Sequence, residues 1–282
     1  MLIDTHCHLN FEAFNGRVGE VIKAAKNVGV DNIIVPGTDI ETSKKAIEIA
    51  EKYEGIYAAV GIHPHHVFEI YSESSIPEGE VSSLSKLLSN TKVVAVGEIG
   101  IDRHIYRKTK YPDYKIEKEF IELQKIFFIE QIKLAHKYKK TLIIHNREAK
   151  KDVLEILTTN YQLLTTHSSV FHCCEPDIEL LEFAKKHKIF IGIDGDVTYQ
   201  KDKQEFIKKV PLEMLVLETD SPFLMPRLLS GGRSSTRYNE PKNIPLIAEF
   251  VAKLKNVPVK KISEMTTENA RMLFKVSPSK KV

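Results

Sequence analysis

The sequence predicts an α/β protein folded as a single (β/α)8 (TIM) barrel. Three observations carry that expectation: short β-branched runs recur along the chain, each is followed by a polar turn and a segment with apolar residues at helical spacing, and the pattern repeats eight times. Eight parallel strands alternating with helices is the count that closes a barrel. The 282 residues suit one such domain, expected over residues 1–276 with a flexible tail at 277–282.

The strand candidates are residues 2–6, 32–36, 56–62, 93–98, 141–145, 169–172, 189–193 and 214–218. Helix candidates lie at 17–28, 42–52, 81–89, 116–138, 149–161, 176–187 and 201–210, with a last pair at 243–255 and 259–274. In the long helix Phe120, Leu123, Phe127, Ile132, Leu134 and Ala135 can face the barrel, while Glu122, Lys125, Glu130 and Lys133 face water. Pro176 suits the first turn of its helix, where a backbone N–H is not needed. Residues 69–83 read as a polar insertion ahead of a helix.

A hydrophobic fraction of 42% with 28% charged residues is that of an ordinary soluble protein. No apolar run approaches the roughly 20 residues of a membrane span. Met1-Leu2-Ile3-Asp4 lacks the basic-then-apolar pattern of a secretory leader, so a cytoplasmic or nuclear location is expected. Cys7, Cys173 and Cys174 form neither a disulfide framework nor a zinc ribbon and read as reduced thiols. The formal charge of +3 excludes a polycationic nucleic-acid coat, so contact with a polyanion must come from local clusters.

Active sites of such barrels sit at the C-terminal ends of the strands, where the loops converge on one mouth. Polar residues collect at those positions: His6 and His8 after the first strand, His63 and His65 after the third, then Glu98, His145, His172 and Asp220. Side chains two apart in a strand share a face, so His6 and His8 can aim at the mouth while Cys7 points toward the helices. A lone His-x-His pair is equally compatible with two ordinary hydrogen-bonded histidines. Glu98, His145, His172 and Asp220 at four other strand ends make coincidence a poor account. Six nitrogen and oxygen groups exceed the three or four that one catalytic zinc takes, and fit a two-ion site better.

Several segments in order resemble the TatD family of deoxyribonucleases, within the wider amidohydrolase-like metal barrels. They are Asp4-Thr5-His6-Cys7-His8-Leu9, Gly97-Glu98-Ile99-Gly100-Ile101-Asp102, the helix pattern Gln124, Phe128, Gln131, Leu134, Ala135, and Ile143-Ile144-His145-Asn146-Arg147. Phe171-His172-Cys173, Gly192-Ile193-Asp194-Gly195, Leu217-Glu218-Thr219-Asp220-Ser221-Pro222 and Asn239-Glu240-Pro241 extend the likeness across nearly the whole chain. The stretch from Arg103 to Arg107 and the basic loop after it depart from the family pattern, as do residues 233–238.

Resemblance and strand geometry together imply that His6, His8 and Asp220 bind one divalent ion, that His145 and His172 bind a second, and that Glu98 bridges them. Such a pair polarises a phosphoryl oxygen and stabilises the leaving oxygen of an in-line displacement. Asp220 is assigned as general base and Glu98 joins it as a catalytic carboxylate; the segment around Asp220 also reads as a turn. Glu218 can hydrogen-bond a ligating imidazole or pair with a nearby cation. The donor set admits Mg2+, Mn2+ or Zn2+, and the resemblance favours Mg2+.

His63, His65, Arg147 and Arg237 are the candidate phosphate donors, with turn packing as the alternative for the two histidines. Arg103, Arg107, Lys108, Lys110 and Lys115, interleaved with Tyr106, Tyr111 and Tyr114, have the charges and rings to track a single strand. Lys139-Lys140 and Lys185-Lys186 complement helix dipoles, and His104, His136, His167 and His187 have no expected place at the mouth.

The resemblance implies a phosphodiester hydrolase, a 3'-to-5' exodeoxyribonuclease; single-stranded or end-bearing DNA is the expected partner and a monomer the expected state. The alternative enzyme is a metal-dependent ester or amide hydrolase, such as one that removes an amino acid from tRNA. Amide-cleaving relatives often bridge their metals with a modified lysine, and the carboxylate of Glu98 at that position weakens this alternative without excluding it. A non-catalytic metal-binding scaffold predicts eroded ligands, and here all six positions are filled.

Overall fold

A computed structural model of the chain describes residues 1–72, 77–111, 113–164, 169–227 and 238–277. Eight parallel strands follow one another round one sheet in chain order: β1 (Leu2–Asp4), β2 (Val30–Pro36), β3 (Ile56–Val60), β4 (Val93–Asp102), β5 (Thr141–Arg147), β6 (Ser169–Phe171), β7 (Phe190–Ile193) and β8 (Leu215–Leu217). Helices α1 (Val18–Asn27), α2 (Ile40–Lys52), α3 (Val67–Ser72), α4 (Pro77–Leu87), α5 (Lys118–Tyr138), α6 (Lys150–Thr159), α7 (Tyr161–Leu164), α8 (Ile178–His187), α9 (Lys201–Lys209), α10 (Ile244–Lys255) and α11 (Val259–Phe274) complete the barrel. Among the described residues no helix is long and apolar enough to cross a membrane.

Alternation within the strands separates two cores. Ile33 and Val35, Leu142 and Ile144, and Leu215 and Leu217 pack outward beneath the helices. Ile34, Ile143 and Val216, between them in sequence, fill the barrel interior with Ile3, Ala59, Ala95 and Val170. The C-terminal end of α11 joins this interior layer through Ala270, Leu273 and Phe274, with Val276 beyond it. Thr141 at the start of β5 donates to the Leu273 carbonyl and Thr267 to the Met1 carbonyl, so α11 plugs the end of the barrel opposite the mouth.

The barrel closes beyond the ends of its two short flanking strands. Thr5 N donates to Leu217 O (3.0 Å), Asp220 N to His6 O (2.9 Å) and His8 N to Ser221 O (2.8 Å). Asp4, fully buried, accepts from Thr219 N (3.0 Å) and Thr219 Oγ1 (2.6 Å), and the Thr5 hydroxyl reaches Leu217 O and Glu218. The chain bends at Thr5, which resets the pleat and turns His6 and His8 to the mouth. Cys7, between them, is buried in the core under the helices as its parity requires.

The long helix α5 buries the face expected of it and two glutamines besides. Gln131 holds Ile62 N and O (2.7 and 3.1 Å), and Gln124, seven residues earlier on the same face, holds Asp102 N and O (2.8 and 3.1 Å). Each amide satisfies backbone groups just where β3 and β4 leave the sheet, so one helix sets the level of both strand ends.

Several boundaries differ from the sequence expectation. β4 runs to Asp102 rather than stopping at Glu98, because a bulge between Gly97 and Ile99 takes Glu98 out of register while pairing with β5 resumes at Ile99. Gly97 (φ 153°) admits the bulge, since a Cβ there would lie 2.5 Å from that of Ile143. Pro176 precedes its helix: Asp177 is the N-cap of α8, accepting from Glu179 N and Leu180 N. The polar insertion contains helix instead, α3 and the start of α4, while residues 73–76 lie outside the described residues. So do residues 278–282 of the expected tail.

Because Phe274 is a buried plug with no part in the mouth, Phe274→Ala is expected to destabilise the fold by roughly 3–5 kcal/mol. Urea unfolding should show a lower midpoint at unchanged slope; a midpoint equal to that of the parent would contradict the plug.

Candidate metal centre

Glu98, swung out of the β4 ladder, stands at the middle of the mouth. Its Oε2 lies 3.4 Å from His6 Nε2 and 3.6 Å from His8 Nε2, while Oε1 lies 3.0 Å from His145 Nδ1, 3.3 Å from His63 Nε2 and 3.5 Å from His172 Nε2. Asp220 Oδ1 is 3.8 Å from His6 Nε2, 3.5 Å from His8 Nε2 and 3.9 Å from His172 Nε2. The structure therefore brings His6, His8, Glu98, His145, His172 and Asp220 into one ring. Asp220 sits in left-handed backbone (φ 51°), a conformation aspartate tolerates better than most residues.

Hydrogen bonds behind the imidazoles decide which nitrogen faces inward. His8 Nδ1 lies 3.2 Å from the Pro36 carbonyl, which can only accept, so His8 Nε2 presents a lone pair to the ring. His172 Nδ1 donates to Glu218 Oε1 (3.0 Å) and His145 Nε2 donates to Asp102 Oδ2 (3.2 Å), so His172 Nε2 and His145 Nδ1 are the nitrogens turned toward Glu98. His6 Nε2 and His8 Nε2 are only 3.2 Å apart, and among the described residues His6 Nδ1, which is buried, has no hydrogen-bond partner. Four imidazole nitrogens and two carboxylates converging in this way are a donor set that fits divalent cations.

His63 differs from the other four. Its Nδ1 accepts from His65 N (3.0 Å), which places the ring proton on Nε2, 3.3 Å from Glu98 Oε1. Its outer nitrogen accepts where those of His8, His145 and His172 donate, so neutral His63 is a donor at the edge of the ring with no lone pair to offer a cation. His65 packs among Tyr106, Tyr111 and Tyr114 with its Nε2 on Thr109 Oγ1 (2.8 Å). Arg147 lines the cleft, with one guanidinium nitrogen donating to the Tyr106 hydroxyl (3.1 Å). Arg237 and His167 lie outside the described residues.

Charge follows the geometry. Burial alone pushes Glu98 up, but the imidazoles of His63 and His6 outweigh it and hold the carboxyl well below its usual range. Burial and the neighbouring His172 hold His6 down at about 4. Burial also opposes charge on His172 and His145, yet Glu218 and Glu98 raise the first to about 10, and Asp102 and Glu98 raise the second to about 9. Asp4 is raised to about 8 by burial, against the bonds from Thr219.

Asp102, which holds His145 from behind, is not singled out by its place in the sequence. It was visible only as the last letter of the fourth-strand motif, and its bond to His145 exists because β4 continues past the bulge. Glu218 reaches His172 because Gly192 leaves space for it: a Cβ there would lie 2.6 Å from both carboxylate oxygens. A second cluster was also unforeseen. Lys203, 2% exposed, lies 3.1 Å from Asp194 and 2.7 Å from Asp196, with Cys173 Sγ at 3.8 Å. Its ammonium already supplies the cation that Cys173, Asp194 and Asp196 would otherwise hold.

The cleft over the ring measures about 650 Å3. The basic loop beside it is largely neutralised: Arg103 pairs with Asp152 (2.7 Å), Lys110 with Glu69 (3.0 Å) and Lys115 with Glu117 (2.8 Å). The tyrosines of that loop pack on one another and on His65.

Comparison with known proteins matches residues 3–275 to the family described as TatD related DNase. The uncharacterized metal-dependent hydrolase YabD of Bacillus subtilis is 35% identical over 279 residues, covering 98% of this chain and 100% of that protein. Deoxyribonuclease Tat-D of Schizosaccharomyces pombe is 29% identical over 275 residues, covering 89% of this chain and 85% of that one. The crystal structure of YjjV, a TatD homologue from Escherichia coli, superposes with a TM-score of 0.82 at 29% identity over 98% of each chain. Agreement in sequence and fold over nearly the whole length makes this chain a member of the TatD family of metal-dependent hydrolases.

Proposed function

We propose that the chain hydrolyses phosphodiester bonds in DNA at a centre of two divalent ions, removing nucleotides from 3' ends as the likeness in sequence implies. The observation that carries this reading is Glu98, whose two oxygens address different sets of imidazoles, Oε2 toward His6 and His8 and Oε1 toward His145 and His172. A carboxylate so placed suits a bridge between two cations. Its being a carboxylate, rather than a modified lysine, sets the phosphodiester reading above ester or amide hydrolysis. A relative named as a deoxyribonuclease supports DNA as the substrate.

In this scheme His6, His8 and Asp220 hold one ion and His145 and His172 the other. Bound divalent ions would polarise a phosphoryl oxygen and supply a nucleophile from water at neutral pH. Asp220 keeps an oxygen free to take the proton from the attacking water. Arg147 and the Nε2–H of His63 donate to phosphate oxygens, and charge-assisted bonds of this kind are the stronger sort. Glu218 and Asp102 act through the imidazoles they orient. Mg2+ is the ion the resemblance favours, with Mn2+ and Zn2+ admitted by the donor set. The protein is proposed to act as a cytoplasmic monomer on single-stranded or end-bearing DNA.

Labelled single-stranded DNA should be shortened by the purified protein in Mg2+ or Mn2+, and Asp220→Asn should lower kcat by roughly 10²–10⁴-fold. Absence of cleavage with Mg2+, Mn2+ and Zn2+ alike would reject DNA as the substrate.

Asp102→Asn should weaken metal binding by roughly 10- to 100-fold and also lower the unfolding midpoint of the metal-free protein, since it removes the buried partner of His145. Metal titration followed by calorimetry separates the two effects, and unchanged affinity would remove Asp102 from the scheme.

Metal uptake should release protons. His172 and His145, raised to about 10 and about 9, carry their second proton at pH 7 in the metal-free protein, and a ligating nitrogen must lose it. The stability these raised groups contribute is present below the ordinary imidazole value of about 6.5 and is lost as pH rises through 9 and 10. Calorimetry in buffers of different ionisation enthalpy should therefore register about two protons released at pH 7, declining toward pH 10. Release that does not vary with pH would contradict the assignment.

A further inference from the structure

A nucleic-acid strand offers two things to a protein, phosphates and the flat faces of its bases, and single-stranded binding combines charge for the first with exposed aromatic rings for the second. The donors for phosphate stand on one side of this cleft, at Arg147 and His63. The rings expected to receive bases, the tyrosines of the loop after β4, are occupied. Tyr106 has the Arg147 guanidinium 5.1 Å from its ring centroid, His65 at 4.7 Å and His104 at 4.9 Å, and its hydroxyl is tied to Asp102 (2.6 Å). Tyr111 is only 8% exposed.

Phe223 has the opposite character. It lines the cleft, yet it is 53% exposed, and among the described residues its ring meets Phe11 at 6.3 Å and His8 at 6.4 Å, both in edge-to-face geometry. Phe11 in turn stacks on His8, with centroids 4.2 Å apart and planes 15° from parallel. A run of rings therefore steps outward from the metal centre, from His8 to Phe11 to Phe223. Both phenylalanines are placed by the backbone of that centre: Phe11 N donates to His8 O (3.0 Å) and Phe223 N to Asp220 O (2.9 Å), each three residues after a proposed ligand. Their distance from the ring is thus set by the same turns that aim the ligands.

We propose that Phe223, braced by Phe11, is the stacking platform for the nucleobase beside the scissile phosphate, a subsite that rests on the DNA reading above and extends it. The phosphate is held from the Arg147 side while the base lies on the phenyl ring across the cleft. Every base has a π face, so the platform takes any of the four and confers a requirement for a base without a preference among them. It also gives the exposed ring an occupant of flat aromatic chemistry, placed within reach of the groups that would act on the phosphate.

The test is a cycle between ring and base. Cleavage of a short single strand is compared with that of the same strand carrying an abasic residue next to the scissile phosphate, for the parent protein and for Phe223→Ala, Phe223→Leu and Phe223→Tyr. The parent should favour the base-bearing strand by roughly 5- to 100-fold in kcat/KM. Phe223→Ala should erase that preference, Phe223→Tyr should keep it, and Phe223→Leu, apolar but not flat, should not restore it. As a binding readout, 2-aminopurine at the same position should be quenched on complex formation with the parent and less so with Phe223→Ala. A base preference or quenching unchanged in Phe223→Ala, with DNA cleavage intact, would overturn the subsite alone. Failure of the parent to cleave either strand, with a metal-dependent activity present on another ester, would instead overturn the DNA reading and this subsite with it.

Discussion

The seam between β1 and β8 is where this barrel is both closed and equipped. The strands themselves are three residues each, too short to finish the cylinder, and the last hydrogen bonds come from Thr5, His6, His8, Asp220 and Ser221 beyond them. Three of those residues are proposed ligands. A chain that fails to zip here leaves buried N–H groups without partners, at about 1–3 kcal/mol each, and also separates His6 and His8 from Asp220. Asp4 enforces the junction from inside: buried from water, its carboxyl group accepts from both the backbone and the hydroxyl of Thr219 across the seam. Folding and assembly of the site are here one event.

The rest of the ring is aimed by departures from regular structure and by hidden carboxylates. A bulge at Glu98 converts a residue that would occupy a ladder position into one that reaches the centre of the mouth. Asp102 and Glu218 lie behind His145 and His172, fix which nitrogen faces inward, and raise the basicity of each ring. Burial by itself would discharge these imidazoles; the carboxylates reverse that, so the pair is poised to exchange protons for cations. The buried Lys203 with Asp194 and Asp196 solves the same problem on the neighbouring wall without a metal.

Much of this was readable along the chain. The eight alternations of strand and helix, the burial face of α5 and the position of α11 all follow from periodicity, which is a local property with a long signal. The residues now gathered in the mouth were legible for the same reason: strand ends in a closed barrel must converge, so polar residues at those ends were candidates before any coordinates. What failed was local and short. A one-residue bulge leaves no trace in hydrophobic pattern, so the sequence alone ends β4 at Glu98 and gives no sign that Asp102 backs His145. A first-turn proline and a proline just before an Asp cap look alike in sequence, so the pattern alone puts Pro176 inside α8 while the structure puts it ahead of the Asp177 cap. The tyrosines of the basic loop resembled a binding surface by composition, whereas they pack against His65 and against each other.

By itself, then, the sequence determined the architecture, the set of side chains brought to one mouth and the family to which they belong, because strand and helix periods and ordered motifs are written residue by residue. Only the tertiary structure decided what each of those side chains does there. It turned the ring proton of His63 toward Glu98, placed Asp102 and Glu218 behind the imidazoles of His145 and His172, filled the acidic wall with Lys203, and left Phe223 as an open ring. The physical reason is that tautomer, charge and exposure are set by atoms within about 4 Å, and those atoms come from residues as far apart as 8 and 36, 102 and 145, or 11 and 223.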